Sequence, residues 1–422
     1  MIASTSGKTR SRAKLTAPGR PSIAEVMTPE ARLVLLTAGD ASASPLAAEL
    51  VTGPLHWSSV LVHAHNQGAT GRLHDMIRRM PGDSVPEEVS TALRRATLVS
   101  AFHQGVLEDR LDESLRSLSG EGIPCVLLKG AALAIATYRS FEGRPMNDVD
   151  LLVRADDAGR AQRTLLDAGW FRPDDRKENI DDEELYRLHQ HLPPLRDAHG
   201  TGVGLEIHTD LFAAGHPFGA LTDEIWTCAD EVAFRGRSVR VPRPEQLAVH
   251  CCLHFAWSHM ARHGAWRAFR DLTVLAGEPG FDWDGVVALA LRARARSACY
   301  WTLLLARDVA DLAVPDRVLA ELEPPGGAGL LRVVGRHLAS GLLPTARLCP
   351  SVRLSRWMWL AAIRPGWSDH GASRPWTHSA EFGPRDRDEV AEQGLAKLSY
   401  HIGQASRWRT YLSGVIASHP RA

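Results

Sequence analysis

A chain of 422 residues, 44% hydrophobic and 23% charged, has the make-up of a soluble globular protein and is too long for one small core. Its 49 basic and 49 acidic side chains cancel, which counts against a dedicated binder of long nucleic acid, because neutralising phosphates takes a basic excess. The six cysteines form no C-x-x-C pair, which counts against a disulfide scaffold and fits the cytoplasm, and no run of about eighteen apolar residues marks a membrane-spanning helix.

Residues 1–22 are rich in Ser, Thr, Arg and Lys. They lack the apolar content that offsets ordering entropy, so disorder is expected, and they carry no apolar core of a secretory signal. Residues 23–118 read as helical. Ile23, Val26 and Met27, then Leu33 to Leu36, recur near helical spacing, and Leu93, Leu98, Phe102, Val106, Leu111, Leu115 and Leu118 continue the pattern. Pro81-Gly82-Asp83 interrupts it.

The texture changes at Gly120, and residues 119–241 read as a mixed α/β core. Ile123 to Leu128 is an apolar run suited to a buried strand, ended by Gly130. Ala131 to Tyr138 reads as a helix, Asp148 to Val153 as a second strand, and Asp156 to Ala168 as a helix stopped by Gly169. After a polar stretch from Asp174 to Glu184, Gly204 to His208 forms a third strand, and the segments around Gly236 form a hairpin. Residues 242–422 are again mostly helical, split by Pro324-Pro325-Gly326-Gly327, with a loop-rich region from Trp367 to Arg387. Trp357 to Ile363 reads as a buried helix, and the tryptophans of this half as core, since no basic stripe accompanies them.

The chemistry centres on Asp148 and Asp150. Alternate side chains of a strand share a face, so both carboxylates point one way while Val149, Leu151 and Val153 point into the core. Two adjacent carboxylates repel, and a divalent cation relieves that repulsion. A solvated edge strand gives the same Asp-x-Asp pattern, so the pair gains weight only with its surroundings. Lys129-Gly130 ends one strand and opens a helix. The glycine lets backbone approach a ligand, the helix start seats phosphate, and Lys129 adds a full charge in a chain whose other lysines are Lys8, Lys14, Lys177 and Lys397. Glu206 and His208 share one face of their strand, so Glu206 completes an acidic triad if that strand lies beside the Asp148 strand. Two metals could then be held, or Glu206 could act as general base.

Arg144 either grips phosphate or pairs with an acid. His189 and His191 precede Pro193-Pro194 and either line the site or sit on the surface. His250 and His254 have metal-ligand spacing, but no Glu follows His250 as in H-E-x-x-H. A packed helix with His254 hydrogen-bonded to Asp271, and Cys251 and Cys252 buried, is the expectation there.

The stretch Leu127-Leu128-Lys129-Gly130, with Tyr138, Arg144, Asn147-Asp148-Val149-Asp150-Leu151-Leu152-Val153, Gly169 and Leu205-Glu206-Ile207-His208, resembles the bacterial uncharacterised nucleotidyltransferase family of the polymerase-beta-like superfamily. Pro244 to Leu247, His250, His254 and Asp271-Leu272 resemble the helical continuation of that family, so the likeness spans roughly residues 100 to 280. Many superfamily members follow the glycine with a serine or second glycine; here Ala131 follows Gly130, leaving Lys129 and backbone amides to hold the triphosphate.

The resulting expectation is an α+β fold: a small mixed-sheet nucleotidyltransferase core flanked by N-terminal and C-terminal helical regions. The resemblance implies transfer of a nucleoside monophosphate from an NTP to a hydroxyl or phosphate of a small-molecule or peptide/protein acceptor, with release of pyrophosphate. Asp148, Asp150 and Glu206 are the expected catalytic and metal-binding residues for Mg²⁺ or Mn²⁺. Lys129, Gly130, Arg144 and His208 are the expected NTP-binding residues. The alternatives are a non-catalytic nucleotide-binding regulator on the same core, a phosphotransferase that moves the γ-phosphate, and a zinc hydrolase built on His250 and His254.

Overall fold

The computed structural model describes residues 23–39, 44–80, 84–173, 190–213, 216–219, 221–343, 352–363 and 408–416. The expectations for residues 1–22, Pro81 to Asp83, the polar stretch from Asp174, His189 and Trp367 to Arg387 fall outside them. Among the described residues the architecture is α+β, a seven-stranded mixed sheet between helical flanks.

The N-terminal helices are α1 (Pro29–Leu36), α2 (Pro45–Thr52), α3 (Trp57–Gln67), α4 (Thr70–Ile77) and α5 (Glu87–Gly120). Thr28 caps α1 by accepting from the Ala31 amide, with Pro29 at the first helical position. Helix α5 runs for 34 residues, roughly 50 Å at the standard rise. Its apolar pattern is wider than the stripe it buries. Leu93, Leu107, Leu111 and Leu118 are in the core, but Leu98 and Phe102 are 66% and 77% exposed. The helical spacing read over Leu93 to Leu118 is present, but part of that apolar set, Leu98 and Phe102, stays on the outside of the helix.

The sheet strands are β1 (Cys125–Leu127), β2 (Asp148–Val153), β3 (Trp170–Phe171), β4 (Leu195–Asp197), β5 (Gly204–His208), β6 (Asp230–Phe234) and β7 (Arg237–Val241), in the order β3-β4-β5-β2-β1-β7-β6. Between them lie α6 (Lys129–Leu133), α7 (Ala158–Asp167) and α8 (Leu221–Cys228). Strand β2 is central. It pairs antiparallel with β1 and parallel with β5, with Asp150 opposite Glu206 and Asp148 opposite Gly204. Strand β1 is shorter than expected, and the helix after it starts two residues early, at Lys129, and finishes as a π turn over Ala134–Tyr138. Gly169, with φ of +85°, stops α7, as its position implies.

The C-terminal helices are α9 (Pro244–Leu253), α10 (Ala265–Gly277), α11 (Trp283–Arg292), α12 (Arg296–Ala310), α13 (Asp316–Leu322), α14 (Ala328–Gly341) and α15 (Val352–Ile363). Helix α9 ends in a π turn, His254–Ser258, which swings the chain toward α10. Trp266 and Trp301 are core, whereas Trp357 is 61% exposed, so the helix at Trp357 to Ile363 is buried on one face only. One cluster of buried apolar side chains runs from Ile23 through both sides of the sheet to Ile363. No helix among the described residues is long and apolar enough to cross a membrane.

Candidate active site

Strand β2 sits under helices on both faces. Val149, Leu151, Leu152 and Val153 are fully buried, Asp150 is 5% exposed, and only Asp148, at the strand's start, opens to solvent. The register with β5 sets Glu206 directly beside Asp150, so the carboxylates of Asp148, Asp150 and Glu206 issue from one face of two neighbouring strands.

The lead-in to β2 is fixed from α5. The Gln104 side chain donates to the Met146 carbonyl at 2.9 Å and accepts from the Met146 amide at 3.0 Å. A buried amide side chain thus replaces the missing ladder partner of this segment. On the other flank the Leu128 amide donates to the Asp150 carbonyl at 2.9 Å, which brings the next residue, Lys129, onto the carboxylates.

Lys129 donates from Nζ to Asp150 Oδ1 at 2.7 Å and lies 4.0 Å from Glu206 Oε2. Its backbone φ is +46°. A β-carbon makes that conformation costly, about 1–2 kcal/mol, and such strain persists where surrounding contacts impose it. Gly130 follows under a tight roof, since a β-carbon there would stand 3.0 Å from Met146 Sδ. His208 Nε2 reaches both Asp150 Oδ1, at 2.9 Å, and Glu206 Oε2, at 3.3 Å. The donor atoms of Asp150, Glu206 and His208 all lie within 4.8 Å of one another. His208 therefore sits behind the carboxylates, 1% exposed, rather than in the open cavity.

The charges are unevenly compensated. Burial opposes the charged form of Asp150, but Lys129 and then His208 hold its carboxyl well below the usual range. Glu206 is held low against its burial mainly by the His208 hydrogen bond. Among the described residues Asp148 has no hydrogen-bonded or ion-paired partner of this kind, and Lys129 and Arg267 offset its burial only in part. The protein around it, and then the charges of Asp150 and Glu206, push its carboxyl up to about 6. Burial works against the charge on Lys129, yet Asp150 and Glu206 raise its ammonium above the ordinary value.

Beside this cluster lies a cavity of about 560 Å³. The start of α6 contributes Lys129 and Gly130, the sheet contributes Asp148, Asp150 and Glu206, and the opposing wall comes from α9, its π turn and α10, including His250, His254 and Arg267. Burial and then Lys129 keep both His250, whose pKa falls to about 3, and His254 uncharged. Neither belongs to a group of potential metal ligands among the described residues. The expected His254–Asp271 hydrogen bond is corrected: Asp271 is taken by a bidentate pair with Arg144, at 2.6 and 2.9 Å, and by the Tyr138 hydroxyl at 2.8 Å. Cys252 is buried, but Cys251 is partly exposed and lines the cavity.

Arg144 thus spends its guanidinium on Asp271 and on the Pro145 carbonyl, tying the lead-in of β2 to α10, although it also lines the cavity. His191 lines the cavity, with its Nδ1 2.7 Å from the Leu192 carbonyl oxygen. The reading of the sequence missed Arg267. A lone arginine on an amphipathic helix carries no local signal, and only the packing of α10 against the sheet puts it in the cavity wall.

A family model described as uncharacterised nucleotidyltransferase matches residues 53–311. No curated protein matches the sequence.

Proposed function

The chain belongs to this uncharacterised nucleotidyltransferase family, and from that premise we propose that it moves a nucleoside monophosphate from an NTP to a hydroxyl or phosphate of a small-molecule or peptide/protein acceptor. The observation that carries the reading is the β2–β5 register, which sets Asp150 against Glu206, with Asp148 two residues earlier on the same face, at the edge of a cavity that also holds Lys129 and Gly130.

The donor set suits a hard divalent cation. Asp148, Asp150 and Glu206 share one face of the paired strands, and burial, followed by the charges of Asp150 and Glu206, raises the Asp148 carboxyl. Oxygen donors of this kind match Mg²⁺ or Mn²⁺, with Asp148, Asp150 and Glu206 as the residues that would hold it. When bound, such a cation supplies positive charge at the phosphate oxygens and favours the ionised acceptor.

The residues then divide the work. Glu206, kept ionised, receives the acceptor proton as the acceptor oxygen attacks the α-phosphorus. The bond between that phosphorus and the bridging oxygen of the β-phosphate breaks, and pyrophosphate leaves with the electron pair. Lys129 and the backbone beside Gly130 support the phosphates, since Ala131 offers no hydroxyl. His208 holds Asp150 and Glu206 in place through one shared ring nitrogen. Arg144 acts through Asp271 as a brace of the wall.

The second reading, a nucleotide-binding regulator without turnover, draws on one observation: the Lys129 ammonium already neutralises Asp150 at 2.7 Å. Incubation with α-³²P- and γ-³²P-labelled NTPs, Mg²⁺ and fractionated small molecules or peptides separates the readings. Nucleotidyl transfer moves the α-label to an acceptor and releases pyrophosphate, with a loss on the order of 10³-fold in Asp150→Asn. Transfer of the γ-label alone, or Mg²⁺-independent binding with no transfer, sinks it.

A further inference from the structure

Two of the three cations in the cavity wall are consumed by the protein. Lys129 is on Asp150, and Arg144 is on Asp271. The third, Arg267, makes no hydrogen bond or ion pair among the described residues, and its Nε is buried without a partner. An unpaired guanidinium beside a cavity is costly unless an anion completes it.

Its position is enforced. Gln67, at the end of α3, accepts from the Trp266 amide at 3.2 Å, and the Trp266 indole donates to Thr37 Oγ1 at 2.8 Å. These contacts anchor the first turn of α10 against the N-terminal helices. Gly68, with φ of +75°, then makes room: a β-carbon there would stand 3.1 Å from Arg267 Nε and 3.2 Å from Nη2. Burial and the nearby Arg144 both work against the Arg267 charge, and Asp148 offsets this only in part. The surroundings are therefore short of negative charge at this one place, although the carboxylate side of the cavity has an excess.

We propose that Arg267 is the receptor for the β- and γ-phosphates of the nucleoside triphosphate, so that the leaving pyrophosphate is held by the helical wall while the α-phosphate lies at the carboxylates. This rests on the nucleotidyltransferase reading and adds to it the residue that distinguishes a triphosphate from a monophosphate. A guanidinium fork suits this task, because it offers paired donors to phosphate oxygens and stays charged.

The test is calorimetric titration of the full chain, with Mg²⁺, against inorganic tripolyphosphate, each NTP and the matching NMP. Arg267→Gln is expected to weaken tripolyphosphate and NTP binding by about 10- to 100-fold and to leave NMP binding within about twofold. Arg267→Lys, which keeps charge without the fork, falls between. Gly68→Ala crowds the guanidinium while leaving it in the sequence, and lowers NTP affinity in the same direction, so these two variants decide the matter should Arg267→Gln not fold. Unchanged NTP affinity in folded Arg267→Gln and Arg267→Lys, with Asp150→Asn still losing Mg²⁺-dependent binding, overturns the assignment and leaves the nucleotidyltransferase reading standing. Equal weakening of NTP and NMP also overturns it, since Arg267 would then shape the cavity rather than read phosphate. A wild-type protein that binds neither tripolyphosphate nor any NTP sinks both.

Discussion

Asp148 is the residue whose environment and charge disagree most plainly. Its carboxyl ionises at about 6 in the fold, against about 4 in an unfolded chain. Between those values the folded protein holds a proton that the unfolded chain gives up, so the charge of Asp148 opposes folding increasingly from about pH 4 and fully above about 6. Asp148→Asn should therefore raise the melting temperature in metal-free buffer at pH 8 and leave it unchanged at pH 4. A variant less stable than wild type at pH 8 would show that the carboxylate is already neutralised. The same ionisation has a consequence for ligand binding. Mg²⁺-dependent NTP affinity should rise with pH through about 6, and the rise should be smaller in Asp148→Asn, where only the terminal phosphate of the nucleotide still titrates in that range. The Asp-x-Asp and Lys129-Gly130 motifs were legible in the sequence because two chain-local rules, strand alternation and strand-to-helix punctuation, place them. The partner of Arg144 was not, because Asp271 lies 127 residues away.

At the scale of elements, two braces position β2. The first is Gln104 on α5, whose amide satisfies both backbone groups of Met146. Gln104→Leu keeps the volume but leaves a buried N–H and C=O unpaired, so a loss of about 2–4 kcal/mol is expected in urea unfolding, together with weaker NTP binding. The second is the Arg144–Asp271–Tyr138 cluster between the β2 lead-in and α10. Arg144 and Asp271 are 8% and 2% exposed, so Arg144→Met strands a buried carboxylate and should cost about 3–5 kcal/mol. The double variant Arg144→Met/Asp271→Leu should recover most of that loss. If the two single losses simply add in the double variant, the pair is not coupled. Strands β3 and β4, of two and three residues, had no period long enough to read; β4 forms on the edge that β5 offers, and β3 in turn on β4.

For the whole molecule, the continuity of the core matters most. The buried cluster passes from the N-terminal helices through the sheet to α15, and the cavity takes lining from Asn66 as well as Asp271. A fragment of residues 119–241 exposes the sides that α5, α9 and α10 cover. It should show no cooperative thermal transition, whereas the full chain should unfold with one major transition. A fragment that unfolds cooperatively and binds Mg²⁺-NTP would make the helical flanks accessory.

What the sequence by itself determined was the α+β alternation and the carboxylate face. The order of strand, turn and helix, and the inward turn of every second residue, are local properties of the chain. Even the conjunction of Glu206 with Asp148 and Asp150 could be stated as a condition, that β5 lie beside β2. Whether that condition holds was decided only by sheet pairing, which joins residues 56 positions apart, as Asp150 with Glu206, through hydrogen bonds that carry no sequence code. Tertiary structure alone also decided which cations are spent and which is left. Lys129, Arg144 and Arg267 all read as cations in the sequence, but a charge acts through its neighbours, and their neighbours are Asp150, Asp271 and an open cavity.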